Sequence, residues 1–339
     1  MSLRYKKFLN LKLSEIGIGT YLGNPDDKTD ENYYQTIKEG IEKGINVIDT
    51  AINYRNMRSE KVIGKVLKEI DREKVILSTK GGYVAVPYGV ENPTEWFKRE
   101  LVLTKIVDVK DITDTGNILT SQYINWAFET SLKNLNTDYI DVYFIHNPED
   151  QLLKFDRETF YKKLKEVFEV LEEKRIKGKL KYYGLATWNG FRVPENHKQY
   201  LNLKEILDIA YGVAGNNNGF KFIQLPYNIA MLEAYNLKNQ NLDGKKLSTL
   251  EASEKLGIYT YISAPLMQGR LIRAVNEIIL QRFKVDKPSL IPIQFVRSTK
   301  GVGTVLIGMS QKEHLIENLE IENKESLSFN EIDNMINSR

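Results

Sequence analysis

Short apolar runs recur along the chain, separated by stretches whose apolar positions have helical spacing. The runs predict buried strands and the stretches between them amphipathic helices. Residues 14–19 read as a strand, and 29–43 as a helix opened by Thr29 or Asp30 with Tyr33, Ile37 and Ile41 on one face. Further strands are predicted at 45–49, 75–80, 141–146, 180–186, 222–225, 258–264 and 304–307. Helical spacing appears at 59–70, 121–135, 157–177, 203–211 and 247–256, around 272–283, and at 290–298 and 312–319. Eight strand units joined by crossovers of helical length predict an α/β chain closed into a (β/α)8, or TIM, barrel, because successive parallel strands require such crossovers. No low-complexity linker divides the chain, so residues 1–339 are expected to be one domain. The alternation pauses at 81–120, where Gly81-Gly82, Pro87 and Pro93 stand among mixed apolar and charged residues. That segment predicts an ordered insertion over the C-terminal face of the barrel.

Composition narrows the function classes. A length of 339 residues suits a barrel with loop insertions, and a net charge of +3 creates no field that would draw nucleic acid or an anionic membrane. The absence of cysteine excludes disulfides and thiolate metal sites. No run is long and apolar enough to cross a bilayer, so a soluble, cytoplasmic protein is expected. Oligomeric state is not encoded in the pattern.

Chemistry concentrates where the strands end. The runs at 45–48, 75–79 and 142–145 finish in Asp49, Lys80 and His146, and Tyr54 lies just beyond the first. Taken singly, the aspartate could cap a helix, the lysine could be solvated, and the tyrosine and histidine could be packed in the core. On neighbouring parallel strands, however, all four would meet at one end of the barrel, where such folds place their chemistry. A carboxylate, an ammonium and a phenol in one cluster shift the phenol's readiness to give up a proton. The other histidines, His197 and His314, have no partners at ligand spacing, and no metal site is expected.

Asp49-Thr50-Ala51-Ile52-Asn53-Tyr54 followed by Ser59-Glu60-Lys61-Val62-Ile63-Gly64 resembles the first signature of the aldo-keto reductase family. The resemblance continues through Thr79-Lys80, through Ser131 to Leu135 and Asp138 to Asp141 into His146, and through Ala264-Pro265-Leu266 with Gly269. It ends at Gly308, Glu317 and Asn318. It implies a reductase that moves a hydride between a nicotinamide cofactor and an aldehyde or ketone, with Tyr54 as general acid. Lys80 and Asp49 would be the electrostatic partners of Tyr54, and His146 would orient the carbonyl.

The same resemblance assigns cofactor contacts to Gly19, Thr20, Asp49, Thr187, Gln224, Ala264, Pro265, Leu266, Gly269, Arg270, Gly308, Ser310, Lys312, His314, Glu317 and Asn318. Two departures stand out. A Ser-Asn pair expected after the fifth strand is Ala186-Thr187, and a Lys and an Arg expected near the last strand are replaced by Gly308 and His314. Ser310, Gln311 and Lys312 are available as substitutes, so NADP is expected over NAD, by a margin reduced by the lost cations. Tyr21, Tyr83, Asn147 and Met267 are expected in the substrate pocket. Tyr88 and Trp96 suit either the pocket or the packing of the insertion. The expected partner is a small carbonyl compound. The family's potassium-channel beta-subunit branch offers an alternative, a cofactor-binding regulatory or assembly subunit.

Overall fold

The computed structural model describes residues 3–273 and 275–337. Its strands are β1 (Tyr5–Phe8), β2 (Leu11–Ser14), β3 (Ile16–Gly19), β4 (Val47–Asp49), β5 (Ile76–Gly81), β6 (Ile140–His146), β7 (Leu180–Ala186), β8 (Phe220–Pro226), β9 (Gln240–Leu242), β10 (Lys245–Leu247), β11 (Tyr259–Ser263) and β12 (Thr304–Gly308). Eight of them close a barrel in the order β3-β4-β5-β6-β7-β8-β11-β12, every neighbouring pair parallel. The (β/α)8 expectation holds, with each expected strand in its place.

Alternation along the strands divides the apolar residues into two layers. Ile18, Ile48, Leu77, Tyr143, Ile145 and Leu185 belong to a large cluster shared with the surrounding helices. Val47, Ile76, Val142, Phe144, Phe222, Tyr261 and Leu306 form a second cluster together with Leu11 and Leu13. The latter two come from the β1–β2 hairpin, which the sequence pattern did not reveal. Phe8 of the same hairpin meets Phe222 at 5.4 Å and Tyr259 at 5.1 Å between ring centres. The hairpin therefore plugs the barrel at the end where its strands begin. Burial of Leu13 alone contributes about 1.5–3 kcal/mol.

Helix boundaries follow local capping. The helix Asp27–Glu42 starts before Thr29 because Asp26 is its cap, accepting the Thr29 N–H at 2.8 Å. Thr120 and Asp156 cap Ser121–Leu135 and Arg157–Ile176 in the same way. Leu247, expected in a helix, lies instead in β10, because Asp243 and Gly244 both take positive φ and turn β9 back into a hairpin. The helix expected around 272–283 is limited to Glu277–Arg282 by its cap Asn276.

The 81–120 segment is ordered. It contains a short helix, Pro93–Phe97, and buries Leu101 and Val107. Its two ends are joined by Ile118 N–H to Gly82 O at 2.6 Å, and Tyr88 N–H to Asn56 O at 3.0 Å bonds it to the body of the protein. Trp96 packs against the core, and the Arg58 guanidinium lies 4.6 Å from the Tyr88 ring centre. Both residues hold the segment in place.

Backbone approach is closest at Gly184, where an added Cβ would stand 1.9 Å from Phe222 O, whereas at Gly212 in the helix Leu203–Ala214 it would meet nothing. Gly184→Ala is expected to destabilise by about 1–3 kcal/mol or more through overpacking. Gly212→Ala should stabilise by about 0.5–1 kcal/mol through helix propensity. Urea denaturation of the two variants beside wild type checks both signs.

Candidate active site

Strand register brings three of the four candidate side chains together. Asp49 pairs with Ser78, two residues before Lys80, and Lys80 pairs with Phe144, two residues before His146, so Asp49, Lys80 and His146 share the inward face of the barrel. Lys80 is fully buried and its Nζ donates to Asp49 Oδ2 at 2.6 Å and to Thr50 O at 2.7 Å. The other carboxylate oxygen, Oδ1, accepts from Ser78 Oγ at 2.6 Å and from Gln224 Nε2 at 3.2 Å. Behind Lys80, the buried Glu60 accepts from Thr79 Oγ1 at 2.6 Å and Asn134 Nδ2 at 2.8 Å, joining the helices Arg58–Leu67 and Ser121–Leu135 to β5.

Tyr54 reaches the cluster from the loop after β4. The next three residues, Arg55, Asn56 and Met57, all have left-handed backbones with φ of 51°, 54° and 68°. Such a turn costs energy for residues other than glycine. It is secured by the buried Arg55, which donates to Asn24 O at 2.8 Å and Asp30 Oδ1 at 2.6 Å, while Arg58 pairs with the same Asp30. Lys80 Nζ stands 4.9 Å from the Tyr54 ring centre.

Electrostatics follow from burial and these neighbours. Burial opposes the charge on Lys80, but Asp49 and Tyr54 outweigh it and hold the ammonium above its ordinary pKa. Burial raises the Tyr54 phenol, and the Lys80 charge opposes the rise. His146 lies 5.8 Å from Tyr54 and 5.0 Å from Tyr83, ring centre to ring centre. Burial first and Lys80 second push its imidazole well below the usual histidine range, so it is neutral. Its Nδ1 is buried without a hydrogen-bond partner.

A cavity of about 730 Å³ opens over these residues at the C-terminal ends of the strands. Asp49, Tyr54 and His146 line it, whereas Lys80 lies behind its wall. Tyr21, Tyr83 and Asn147 are on the wall beside them, with Gly19 and Thr20. Thr187, Gln224, Ala264, Pro265, Leu266 and Gly269 continue it across β7, β8 and β11. Gly308, Ser310, His314, Glu317 and Asn318 complete it at β12 and the helix Lys312–Leu319. Thr187 Oγ1 is buried and unpartnered, an open polar position in that wall.

Met267, Arg270 and Lys312 are not on the wall. Met267 sits in a turn with φ of 45°, Arg270 is exposed, and Lys312 is paired with Glu39 at 2.7 Å. Conversely, Asn53, Gln268, Ile272 and Ser289 line the cavity without having been singled out by sequence. Ser289 donates to the Glu317 carboxylate. Asn53 stood inside the recognised motif, one residue before Tyr54, and that position was its signal; Ser289 had none.

With this geometry in place, comparison with known proteins identifies the class. Residues 15–337 match the aldo/keto reductase family, and the chain belongs to it. It is 25% identical over 327 residues to the uncharacterized oxidoreductase YqkF of Bacillus subtilis, covering 95% of this chain and 92% of that protein. It is 29% identical over 209 residues to the NADH-specific methylglyoxal reductase of Escherichia coli, covering 60% and 57%. A solved aldo-keto reductase from Klebsiella pneumoniae in complex with NADPH has the same fold, with a TM-score of 0.67 and 19% identity over 100% of this chain and 95% of that one. The family consists of oxidoreductases that use nicotinamide cofactors.

Breaking the buried pair at Lys80 leaves a carboxylate without its counter-charge. Lys80→Met is expected to lower stability by about 3–5 kcal/mol, read by urea denaturation at neutral pH.

Proposed function

We propose that this chain is an NAD(P)H-dependent carbonyl reductase in which Tyr54 is the general acid. The observation that carries this reading is the placement of Tyr54 between the buried Lys80–Asp49 pair and a neutral His146 at the base of the cavity. A free phenol has a pKa of about 10 and gives up its proton reluctantly near neutrality. The Lys80 ammonium stabilises the phenolate, and Asp49 holds the ammonium in position. A nicotinamide cofactor bound in this cavity would supply the hydride. As it arrives, charge grows on the carbonyl oxygen, and N–H and O–H donors from His146 and Tyr54 act where the transition state is more anionic than the ground state.

The rest of the wall suits the cofactor. Gln224 spends its Nε2 on Asp49, which leaves its carbonyl oxygen for the nicotinamide amide, and the unpartnered Thr187 Oγ1 is a second partner. Backbone around Ala264, Pro265, Leu266 and Gly269 would approach the pyrophosphate, and Glu317 and Asn318 the adenine. Ser310 and His314 support a modest preference for NADPH over NADH, since Lys312 is held by Glu39. Reduction is then the working direction, because cells keep the NADP pool reduced.

For the substrate, no Lys or Arg is among the described residues lining the cavity, while Tyr21 and Trp188 stand about half exposed at its rim. This favours an uncharged carbonyl compound with an apolar or aromatic body.

Two measurements test the proposal. Tyr54→Phe should lower kcat for benzaldehyde reduction by about 10²–10⁴-fold while NADPH binding persists; cofactor binding with no turnover by wild type would favour an assembly or sensing role. Wild type should also have a kcat/KM for benzaldehyde at least about tenfold above that for 4-carboxybenzaldehyde, whose charge would be left unpaired.

A further inference from the structure

The segment following His146 contains a buried acid that the proposed chemistry does not use. Glu149 is completely buried, and its Oε1 accepts three successive backbone N–H groups, from Trp188 at 2.7 Å, Asn189 at 2.9 Å and Gly190 at 3.2 Å. Successive N–H groups turned toward one point form a concavity that binds anions. Here the anion comes from the chain itself. The other oxygen, Oε2, is buried without a partner, so the whole bonding capacity that Glu149 uses in this direction goes to one loop.

That loop follows β7 and carries two residues of the cavity wall, Thr187 and Trp188. It is held from its other side by Arg192, whose Nε donates to Trp188 O at 2.9 Å. Glu149 itself is anchored close to His146. The intervening Asn147 has a φ of 43°, and its Nδ2 donates to Tyr83 Oη at 3.0 Å. Asn117 from the 81–120 segment donates to His146 O at 2.8 Å. Asp150, the next residue, accepts from Tyr83 Oη at 2.7 Å and Gln199 Nε2 at 2.8 Å, and Gln199 in turn accepts from Asn189 Nδ2 at 3.0 Å. A short stretch after β6 thus bears the wall on both flanks of His146. Burial pushes the Glu149 carboxyl up to about 7, against the opposing pull of the Asn189 and Gly190 N–H groups. An acid kept in so costly a place for packing alone could be replaced by an apolar side chain.

We propose that Glu149 is a positioning residue: its carboxylate clamps the Trp188–Gly190 backbone and so sets Thr187 and Trp188 at the working distance from Tyr54 and His146. This rests on the reading of the cavity as a nicotinamide-dependent reductase site. Thr187 is where the clamp acts on the cofactor, since a displacement of its hydroxyl by about an ångström is enough to lose a directed contact.

The test combines hydrogen exchange on the wild-type protein with three variants. In wild type the amides of Trp188, Asn189 and Gly190 should be protected; free exchange at all three overturns the clamp whatever the variants do. Glu149→Asp retains the charge but draws the oxygen back by one methylene, Glu149→Ala removes it, and Glu149→Gln keeps an acceptor in place. Glu149→Asp and Glu149→Ala are expected to weaken NADPH binding, followed by tryptophan fluorescence, by about tenfold or more. Glu149→Gln should stay within about threefold of wild type, as expected for an acceptor held in the same geometry. Wild-type affinity in Glu149→Ala overturns the proposal, and so does a loss in Glu149→Gln as large as in Glu149→Ala. If Glu149→Ala does not fold, Glu149→Asp and the exchange data decide. Wild-type protein that binds NADPH but reduces no carbonyl refutes the reductase reading and leaves these binding results standing.

Discussion

The ammonium of Lys80 is the constraint around which the upper half of the barrel is arranged. A fully buried charge is tolerable only with a counter-charge and satisfied hydrogen bonds. Asp49 supplies the first, and Asp49 must then be held by Ser78 and Gln224. These contacts tie β4, β5 and β8 together through side chains across the barrel interior. Below them the interior changes to Phe144, Phe222, Tyr261 and Leu306. Apolar side chains of similar volume would serve stability as well as the ion pair does. Its position beside Tyr54, and the left-handed turn that presents that tyrosine, agree with the proton transfer proposed above.

Features governed by residues close in sequence could be read from the chain. The barrel strands are largely buried apolar runs, and three of them finish in or near a single polar residue, so both the fold and the positions of Asp49, Lys80 and His146 were legible. The β1–β2 hairpin was not. Its exposed Lys7 and Lys12 interrupt Phe8, Leu11 and Leu13, and nothing in so short a stretch says that a barrel floor awaits these apolar side chains. The β9–β10 hairpin did carry a signal, the Asp243-Gly244 turn, which was outweighed by the helical spacing that follows.

Within the cavity, legibility ended where a side chain's partner is remote in sequence. Lys312 looked available for a phosphate until the fold brought Glu39 against it. Glu149 drew no attention in the sequence, since nothing near it there reveals that three amides from beyond β7 converge on its carboxylate. Ser289 likewise becomes part of the wall only because the helix it precedes packs beside Glu317.

The hairpin beneath the barrel has a consequence for traffic. With Phe8, Leu11 and Leu13 filling the floor, the barrel interior is closed at the end where its strands begin, and the cavity lies at the other end. Anything that reaches Tyr54 therefore enters and leaves at the face where the strands end. Two occupants of that cavity would have to seat in turn, the deeper one first, because the hairpin closes the opposite end of the barrel.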